Sequence, residues 1–578
     1  MKTCKLWLKS CILLILICIF LRLVAINSKQ PQVDMSEQNK NEKLSNVLLE
    51  IDFLHKNNAE LKHKVLVLTQ RLRIAENTYL NKKKIGKGPS EKYEVLRRRI
   101  YVNTKELWYY VHSELWLLAN TDKDIYPFTT KIKKNFNEHY FSLLNDIAKL
   151  ENVDGYTQWR RKEYVYLRTL VQKRLRFLQN PEDCSKAKKL FCNLNLDRRS
   201  CGYGCRLHHL VNCLIVAYST KRTLILDNPH NWEFISSGFS SLFFPLSSAC
   251  TSSLDNDETV LPWPGNESVQ VVNLTLPIAV SDGPNRMHRP LPPPFDPLVL
   301  PEDLSRRISV LHGDPAVWWI GQFVNFINRQ QLSTIDIFQE YEDNMEFQRP
   351  TVGVHIRRTD KIGSFHKLEE YMYYVEQFYK LQKMNERNVF KSIYLATDDP
   401  TLFEEASKKR VRVVLYPEYY IFGDPKLSKT GSIVTRESDK SILNINIDLY
   451  FLSRCDYLVC TFSSHECRLA YEKMNGIQNT DTSTQFTSLD DIYHFSDQIR
   501  RLHVAILPHK SNRPLEMDLQ VGDEIEVIRN IYNGYSVGTH LRTNKTLLYP
   551  TFKLIKKIEV MYFSSYPDVK ISSEELEE

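Results

Sequence analysis

The sequence has no stretch in which basic and aromatic residues alternate, although its formal net charge is +8. Its basic runs, such as Lys82–Lys84 and Arg97–Arg99, are typical of solvated faces. Surfaces that bind nucleic acid usually combine clustered positive charge with aromatic side chains that stack on bases. The composition therefore predicts no nucleic-acid partner.

A small-x-small cleavage motif is also missing after the N-terminal apolar run, Cys11 to Leu21. Lysines at positions 2, 5 and 9 precede this run, and the positive-inside rule places them in the cytosol. We expect an uncleaved signal anchor and a single-pass type II membrane protein with a luminal body. Because the apolar core is short, a cleaved signal peptide is the alternative.

The cysteine content fits that luminal compartment. The 12 cysteines make disulfide bonds the default expectation in an oxidising environment. Sequons at Asn266, Asn273 and Asn544 agree with it. The length of 578 residues, 42% of them hydrophobic, suffices for roughly two to four domains with large cores.

Residues 44 to 79 carry a heptad repeat of apolar residues, running from Leu44 to Ala75 with Asn58 at one a position. A repeat of this length predicts a coiled-coil stem, and a single asparagine in the seam favours a parallel homodimer. One long amphipathic helix packed on the body is the alternative.

The remaining chain changes pattern twice. Residues 91–179 are predicted to be helical, and Leu107, Tyr110 and Leu117, which recur at helical spacing, are interpreted as core. Strand and helix patterns then alternate, which predicts a parallel sheet in an α/β fold. The main predicted strands are Thr223–Asp227, Val352–Ile356, Ile393–Ala396, Val411–Leu415 and Tyr457–Thr461.

From Gln498 to Lys557 the pattern is one of short β segments. A Gly-Asp turn at Gly522, an aromatic-x-Gly turn at 532–534 and a Leu-Tyr-Pro strand at 548–550 resemble an SH3 barrel. We interpret this SH3-like domain as structural or glycan-contacting, because a signalling partner for a proline-rich ligand is not expected in the lumen.

The strand Val352–Ile356 leads directly into Arg357, Arg358, Asp360 and Lys361. Open α/β sheets bind ligands at the carboxyl ends of their strands. Two guanidinium groups at such a point suit a diphosphate, because they make bidentate, charge-assisted hydrogen bonds. An ion-paired surface loop is the alternative that this segment alone leaves open.

Several motifs together resemble the core α1,6-fucosyltransferases of N-glycans. They are His355-Ile-Arg-Arg-Thr-Asp-Lys361, Tyr394-Leu-Ala-Thr-Asp-Asp-Pro400, Cys460-Thr-Phe-Ser-Ser464, Cys201-Gly-Tyr-Gly-Cys205, His312-Gly-Asp-Pro315 and Ser488-Leu-Asp-Asp491. The resemblance implies a Rossmann-like, GT-B-like domain that uses GDP-fucose. It also implies a Golgi enzyme that adds fucose in α1,6 linkage to the innermost N-acetylglucosamine, with inversion and no metal or other cofactor.

The resemblance also implies residue roles. Arg357 and Arg358 would contact the diphosphate, His355 and Asp448 the guanine, and Cys460, Thr461 and Ser464 the wall around pyrophosphate and ribose. Lys361 matches the cation beside the reacting centre, and Asp490 and Asp491 match acceptor-site residues. Asp398 and Asp399 could hold a metal or begin a helix, and we assign Asp399 a structural or acceptor-side role.

One departure from the family bears on catalysis. In the family, the loop after the lysine carries a glutamate that acts as base shortly before a Phe-His pair, whereas here Lys361-Ile-Gly-Ser364 runs straight into Phe365-His366. The nearest carboxylates are Asp360, Glu369 and Glu370, of which Asp360 is our candidate base. A homologue that binds GDP-fucose and glycan with impaired catalysis is the alternative. In the C-terminal module, Ile531 replaces the family's histidine.

The disulfide pairing that the resemblance implies is Cys184–Cys250, Cys192–Cys213, Cys201–Cys205 and Cys460–Cys467, with Cys455 left as a buried thiol. A zinc site at Cys201, Cys205, His208 and His209 is the alternative for part of this set, although the spacing is unusual.

These inferences divide the chain as follows: residues 1–10 cytoplasmic tail, 11–27 anchor, 28–90 stem, 91–183 helical region, 184–497 catalytic domain, 498–559 SH3-like domain and 560–578 C-terminal tail.

Overall fold

The computed structural model describes residues 47, 51, 54, 88–121, 124–194, 201–226, 238–250, 260–263, 268–276, 297–345, 347–359, 365–385, 389–407, 409–410, 413–414, 418–428, 438–495, 501–572 and 575. The chain divides into two units, Met1–Gly86 and Lys87–Glu578. In the first unit Val47, Ile51 and Leu54 are helical and exposed. The rest of the predicted stem, and the predicted anchor, lie outside the described residues. Within these ranges no helix is long and apolar enough to cross a membrane.

The second unit alternates helices and strands. Its helices are α1 Glu91–Thr121, α2 Tyr126–Val153, α3 Thr157–Gln179, α4 Tyr203–Ser219, α5 Glu302–Leu311, α6 Pro315–Ile327, α7 Leu332–Met345, α8 Leu368–Lys383, α9 Thr401–Ser407, α10 Pro425–Ser428, α11 Asp439–Leu452 and α12 His465–Ile477. Its strands are β1 Lys189–Leu194, β2 Thr223–Leu226, β3 Val260–Pro262, β4 Val271–Leu276, β5 Leu300–Pro301, β6 Thr351–Ile356, β7 Ser392–Thr397, β8 Lys409–Arg410, β9 Val413–Val414, β10 Tyr420–Phe422, β11 Tyr457–Cys460, β12 Phe486–Ser488, β13 Leu502–Ala505, β14 Glu524–Asn530, β15 Tyr535–His540, β16 Lys545–Pro550, β17 Leu554–Lys556 and β18 Val560–Met561.

Helices α1 to α3 occupy the predicted helical region, but the buried face of α1 is not the predicted one. Leu107, Tyr110 and Leu117 are exposed by 52%, 40% and 53%, so their interpretation as core is wrong. The buried face instead carries Glu94, whose carboxylate pairs with Arg97 at 3.0 Å and with Arg160 of α3 at 2.5 Å. Arg97, expected on a solvated face, is buried because its charge is paired.

A four-stranded parallel sheet follows, in the order β2-β1-β4-β3. Helix α4 packs against it and is buried along its whole length except at Cys205. The structure contains the four disulfides that the resemblance implied, and Cys192–Cys213 ties β1 to α4. Cys455 is a buried free thiol.

The second parallel sheet has the order β10-β7-β6-β11-β12. Its strands β6, β7 and β11 match the predicted ones within a residue at each end. Of the predicted strand Val411–Leu415 the structure describes β9, which pairs in antiparallel with β8 in a separate sheet. The strand beside β7 at one edge is β10, which was not predicted. All six residues of β6 are buried, because one face of the strand packs against Leu368 and Met372 of α8 and the other faces Leu452 of α11.

The C-terminal strands form an antiparallel sheet in the order β16-β15-β14-β13-β17. The sheet confirms the predicted β content of this region, and the SH3 likeness stays a prediction. Strand β18 then returns to pair in parallel with β5. Beyond it, Phe563 and Tyr566 are buried in the main core, and the Tyr566 hydroxyl donates to the Tyr218 carbonyl at 2.7 Å.

Candidate active site

The candidate site lies where four neighbouring parallel strands end. The residues that follow β7, β6, β11 and β12 are Asp398, Arg357, Thr461 and Leu489 respectively, and the carboxyl ends of parallel strands share one edge of a sheet. The sheet order therefore places the arginines after β6 between the aspartates after β7 and the turn after β11. Such an edge is the usual ligand site of an open α/β sheet.

Arg357 is held by the first turn of α12. Its Nη1 donates to Glu466 Oε2 at 2.8 Å, and the Ser464 hydroxyl donates to the same oxygen at 2.7 Å. Burial would raise the pKa of Glu466, but the charges of Arg357 and His355 and the Ser464 hydrogen bond together lower it below its usual range. Glu466 is therefore ionised at neutral pH and fixes the direction of the guanidinium.

Arg358 points toward the β7 side of the edge. Its Nη1 donates to Glu405 at 2.8 Å and lies 3.7 Å from Asp399, while its guanidinium lies 5.2 Å from the Phe365 ring centre. Its backbone N–H donates to Asp398 at 2.8 Å. This second arginine is thus anchored by Glu405, with Asp399 and Asp398 beside it.

Asp399 has the helix-start role that was one of its two predicted alternatives. Its Oδ1 accepts hydrogen bonds from the Thr401 backbone N–H at 3.0 Å and from the Thr401 hydroxyl at 2.6 Å, at the first turn of α9. Its neighbour Asp398 instead accepts from the chain after β6, including the Thr359 N–H at 3.1 Å. Together the two carboxylates join the ends of β6 and β7.

His355 precedes the arginines in β6, and Asp448 lies on α11, which packs against β6 and β7. His355 is buried in β6, and burial lowers its pKa, although Glu466 and Asp398 oppose the shift. Asp448 of α11 accepts from the Tyr394 hydroxyl at 2.7 Å, and Tyr394 lies opposite Gly353 in the β6–β7 pair. Burial raises the pKa of Asp448 to about 7, more than the Tyr394 hydrogen bond lowers it.

The turn between β11 and α12 forms the next part of the edge. The Cys460–Cys467 disulfide joins the end of β11 to the first turn of α12. Between them, the Ser464 backbone N–H donates to the Thr461 carbonyl at 3.1 Å. The turn that carries Thr461 and Ser464 is therefore closed both covalently and by a hydrogen bond.

Asp490 and Asp491 follow β12, beside that turn. Asp490 Oδ1 accepts from the Ser488 hydroxyl at 3.1 Å and from the Asp491 N–H at 2.6 Å. Asp491 accepts from the Ile492 N–H at 2.8 Å, and burial raises its pKa. These two carboxylates border the opposite side of the site from Arg358.

The loop that carries Asp360 and Lys361 lies outside the described residues. Of the other carboxylates considered as base, Glu369 is exposed on the first turn of α8. Glu370 closes a capping box, accepting from the Lys367 N–H at 2.8 Å, and pairs with His366 at 2.8 Å. Glu466 and Glu405, which hold the two arginines, were not identified from the sequence. Glu466 lies two residues after the motif that ends at Ser464, and Glu405 lies five residues after the motif that ends at Pro400, and neither spacing gave a signal.

The predicted zinc alternative is not favoured. Over the described ranges, the one group of metal-ligand side chains close enough to share an ion is Cys201, Cys205 and His209. Two of these three are joined in a disulfide, which leaves no thiolate to bind zinc.

Known proteins resemble the chain along most of its length. A family model described as alpha-(1,6)-fucosyltransferase N- and catalytic domains matches residues 1–494. An alpha-(1,6)-fucosyltransferase of Drosophila melanogaster is 40% identical over 490 residues, which cover 83% of this chain and 76% of that protein. One of Caenorhabditis elegans is 31% identical over 487 residues, covering 83% and 81%. A solved fucosyltransferase NodZ from Bradyrhizobium is 14% identical with a TM-score of 0.28, covering 49% and 92%, and is too distant for a comparison of sites. The chain belongs to the alpha-(1,6)-fucosyltransferase family of glycosyltransferases.

Proposed function

We propose that this protein transfers L-fucose from GDP-β-L-fucose to the innermost N-acetylglucosamine of N-linked glycans, in α1,6 linkage, with inversion and without a metal. The observation that carries the proposal is Arg357 at the end of the buried strand β6, fixed by Glu466 beside the N-terminus of α12. A guanidinium and a helix N-terminus together favour a doubly charged diphosphate.

The donor half of the reaction follows from this arrangement. When the bond between fucose C1 and the β-phosphate oxygen breaks, negative charge develops on the phosphate. Arg357 is already oriented, so it stabilises that charge without reorganising during the reaction. Glu466 accepts from one terminal nitrogen of the Arg357 guanidinium and so holds that group at the end of β6.

Support for the guanosine and acceptor sides is geometric. Asp448, which lies half-buried on α11 and accepts from Tyr394 of β7, is a hydrogen-bond acceptor of the kind that a guanine edge requires. Asp490 and Asp491 lie at the next strand end beyond Ser464, where hydroxyl-rich glycan would meet carboxylate acceptors. We assign Asp399 to the structure of the edge, because its oxygen is used by the α9 cap.

We also propose that the protein is a dimeric type II Golgi membrane protein whose catalytic part is luminal. The N-terminal lysines and apolar run, the heptads and the four disulfides support this placement. The C-terminal sheet is proposed to be an SH3-like barrel beside the catalytic domain.

The test is an assay of the detergent-solubilised full chain with GDP-fucose and a defined N-glycan. We expect a product whose mass rises by one fucose, with an α1,6 linkage to the innermost sugar by NMR. A second chain carries Thr-Glu-Ala inserted after Gly363, which lengthens the loop that lacks the family's glutamate. Tight GDP binding without product in the natural chain, together with product from the inserted chain, would refute the proposed transfer for this protein.

A further inference from the structure

Behind the candidate site lies a chain of hydrogen-bonded titratable side chains that the donor chemistry does not use. His465 Nδ1 lies 3.0 Å from His208 Nδ1, and His208 Nε2 lies 3.0 Å from Glu472 Oε2. The other oxygen of Glu472 accepts from the Tyr493 hydroxyl at 2.7 Å. His208 and Glu472 are completely buried, whereas His465 is half-buried.

His465, His208 and Glu472 come from two helices, α12 and α4. His465 and Glu472 lie seven residues, or about two turns, apart on α12 and so share one face. His208 comes from α4, which approaches α12 closely because Gly204 has no side chain: an added Cβ there would lie 2.7 Å from the His465 Cβ. Phe495 packs edge-on against the His208 ring, with 4.9 Å between the ring centres.

His465 has a favourable position for catalysis. It follows β11, so the sheet order places it between Arg357 after β6 and Asp490 after β12. Ser464 and Glu466, its immediate neighbours, are the residues that hold Arg357. The half-buried ring donates or accepts through Nδ1 toward the interior, and its Nε2 makes no hydrogen bond with the described residues.

The carboxylates at the same edge are already engaged. Glu466 is paired with Arg357, Asp398 accepts from backbone N–H groups, Asp399 caps α9 and Asp490 accepts from Ser488. A side chain that accepts a proton must have a lone pair directed at the acceptor hydroxyl. The imidazole Nε2 of His465 is a basic atom at this edge that has no hydrogen-bond partner among the described residues.

The hydrogen-bonded series of His465, His208 and Glu472 has two arrangements of its protons. When Glu472 is ionised, His208 donates from Nε2 to Glu472 and His465 donates from Nδ1 to His208, which leaves a lone pair on His465 Nε2. When Glu472 is protonated, each hydrogen bond runs in the opposite direction and His465 Nε2 carries a hydrogen. The second state holds one proton more than the first, and that proton resides on the buried carboxyl.

We propose that His465 is the general base of the transferase, and that His208 and Glu472 are positioning residues that pass its proton to the interior. This rests on the proposed function. The acceptor 6-hydroxyl oxygen bonds to fucose C1 while the bond from C1 to the β-phosphate oxygen breaks, and GDP leaves with that electron pair. The hydroxyl proton goes to His465 Nε2, the Nδ1 proton of His465 to His208, and the Nε2 proton of His208 to Glu472.

The pKa shifts of His465 and Glu472 agree with proton transfer from His465 through His208 to Glu472. Burial lowers the pKa of His465 well below its usual value, and Arg468 and His208 add to the shift while Glu466 opposes it. The imidazole is therefore neutral at pH 7. Burial raises the pKa of Glu472 to about 8, against smaller opposing effects of Tyr493, Arg468 and Arg501, so the carboxyl can take a proton near neutral pH.

The experiment compares wild type with His465→Gln and Glu472→Gln in the full chain, using GDP-fucose and the glycan acceptor across pH 5.5 to 9. His465→Gln should lose about 10²- to 10⁴-fold in kcat, the usual contribution of a general base, while its Kd for GDP stays within about threefold. In wild type kcat should rise with pH through an apparent pKa near 8, because Glu472 must be ionised to receive the proton. In Glu472→Gln this rise should move below about pH 6.5, because His465 must then keep the proton itself.

The matched control is His509→Gln, which removes a histidine hydrogen-bonded to Glu516 at 2.9 Å in the loop after β13 and should leave kcat and its pH profile unchanged. Asp360→Asn and Glu369→Gln test the other candidate bases. The inference is overturned if His465→Gln keeps its kcat, or if the pH profile of Glu472→Gln matches wild type. Failure of the proposed function looks different, because wild type itself would then give no α1,6-linked product.

Discussion

Replacing Arg357 with alanine should affect both catalysis and stability, and the two effects can be separated. The substitution removes the cation that we place against the β-phosphate and leaves Glu466 without its charged partner at 2.8 Å. Losing one preorganised donor to developing charge typically costs about 10²- to 10³-fold in kcat. We expect at least that loss for Arg357→Ala, and a severe loss for Arg357→Lys, because an ammonium cannot make a planar bidentate contact.

The stability effect follows from Glu466. Removing one partner of a hydrogen-bonded charge pair costs about 2–5 kcal/mol. The side chains of Arg357 and Glu466 are 22% and 23% exposed, so solvent screens the pair and we expect about 2 kcal/mol, at the low end.

The lowered pKa of Glu466 determines how the stability difference between wild type and Arg357→Ala changes with pH. In the folded wild type the pKa of Glu466 is lowered, so the carboxylate stabilises the fold above its unfolded pKa and this contribution is lost as pH falls through the folded pKa. Without Arg357, burial makes the same carboxylate destabilising at pH 7. The difference in unfolding free energy between wild type and variant should therefore narrow as pH falls from 7 to 3.

Urea unfolding at several pH values measures the stability effect, and kcat/KM with GDP-fucose measures the catalytic one. Arg307→Ala is the matched control, because Arg307 is also 22% exposed and pairs with Glu163 at 2.6 Å between α5 and α3, away from the candidate site. It should lose a similar stability and keep its kcat/KM. Near-normal turnover by Arg357→Ala would show that the diphosphate binds elsewhere.

Three further predictions concern other parts of the chain. Asp448→Asn should weaken GDP binding by about 10- to 100-fold, measured calorimetrically, and leave pyrophosphate binding unchanged, since the lost contact is with the base. Because burial raises the pKa of Asp448 to about 7, the variant should also gain stability relative to wild type as pH rises from 5 to 8. Treatment with EDTA should leave the initial rate unchanged, and a loss restored by a divalent cation would contradict the metal-independent mechanism. Deleting residues 44 to 79 should convert the dimer to a monomer by light scattering, whereas an unchanged mass would show that the body drives association.

The sequence predicted the elements that have a strong local pattern. Strand β6 is buried on both faces and is rich in β-branched residues, so its bounds and the arginines after it followed from the sequence. The buried face of α1 did not, because four of its six buried residues are polar or charged, and Glu94 is buried through ion pairs with Arg97 and with Arg160 of α3. A search for apolar periodicity cannot find such a face.

The residues of the candidate site also divide into those that the sequence identified and those that it did not. The arginines and aspartates at strand ends were identifiable because strand order converts chain position into spatial proximity. Glu466 and His465 were missed, although they directly follow Ser464, because their roles depend on Arg357 and on His208 of another helix. Side chains that act on other side chains leave no spacing pattern within one segment.

The return of β18 to β5 has a consequence for how the chain is made. The first α/β layer contains Tyr218, whose backbone carbonyl and ring are covered by Tyr566. During synthesis at about 5–20 residues per second, this layer waits roughly tens of seconds for its closing segment to leave the ribosome. Until then an apolar surface remains open to chaperones, so a nonsense mutation just before Val560 should yield a protein that quality control retains, even though every residue of the candidate site is present.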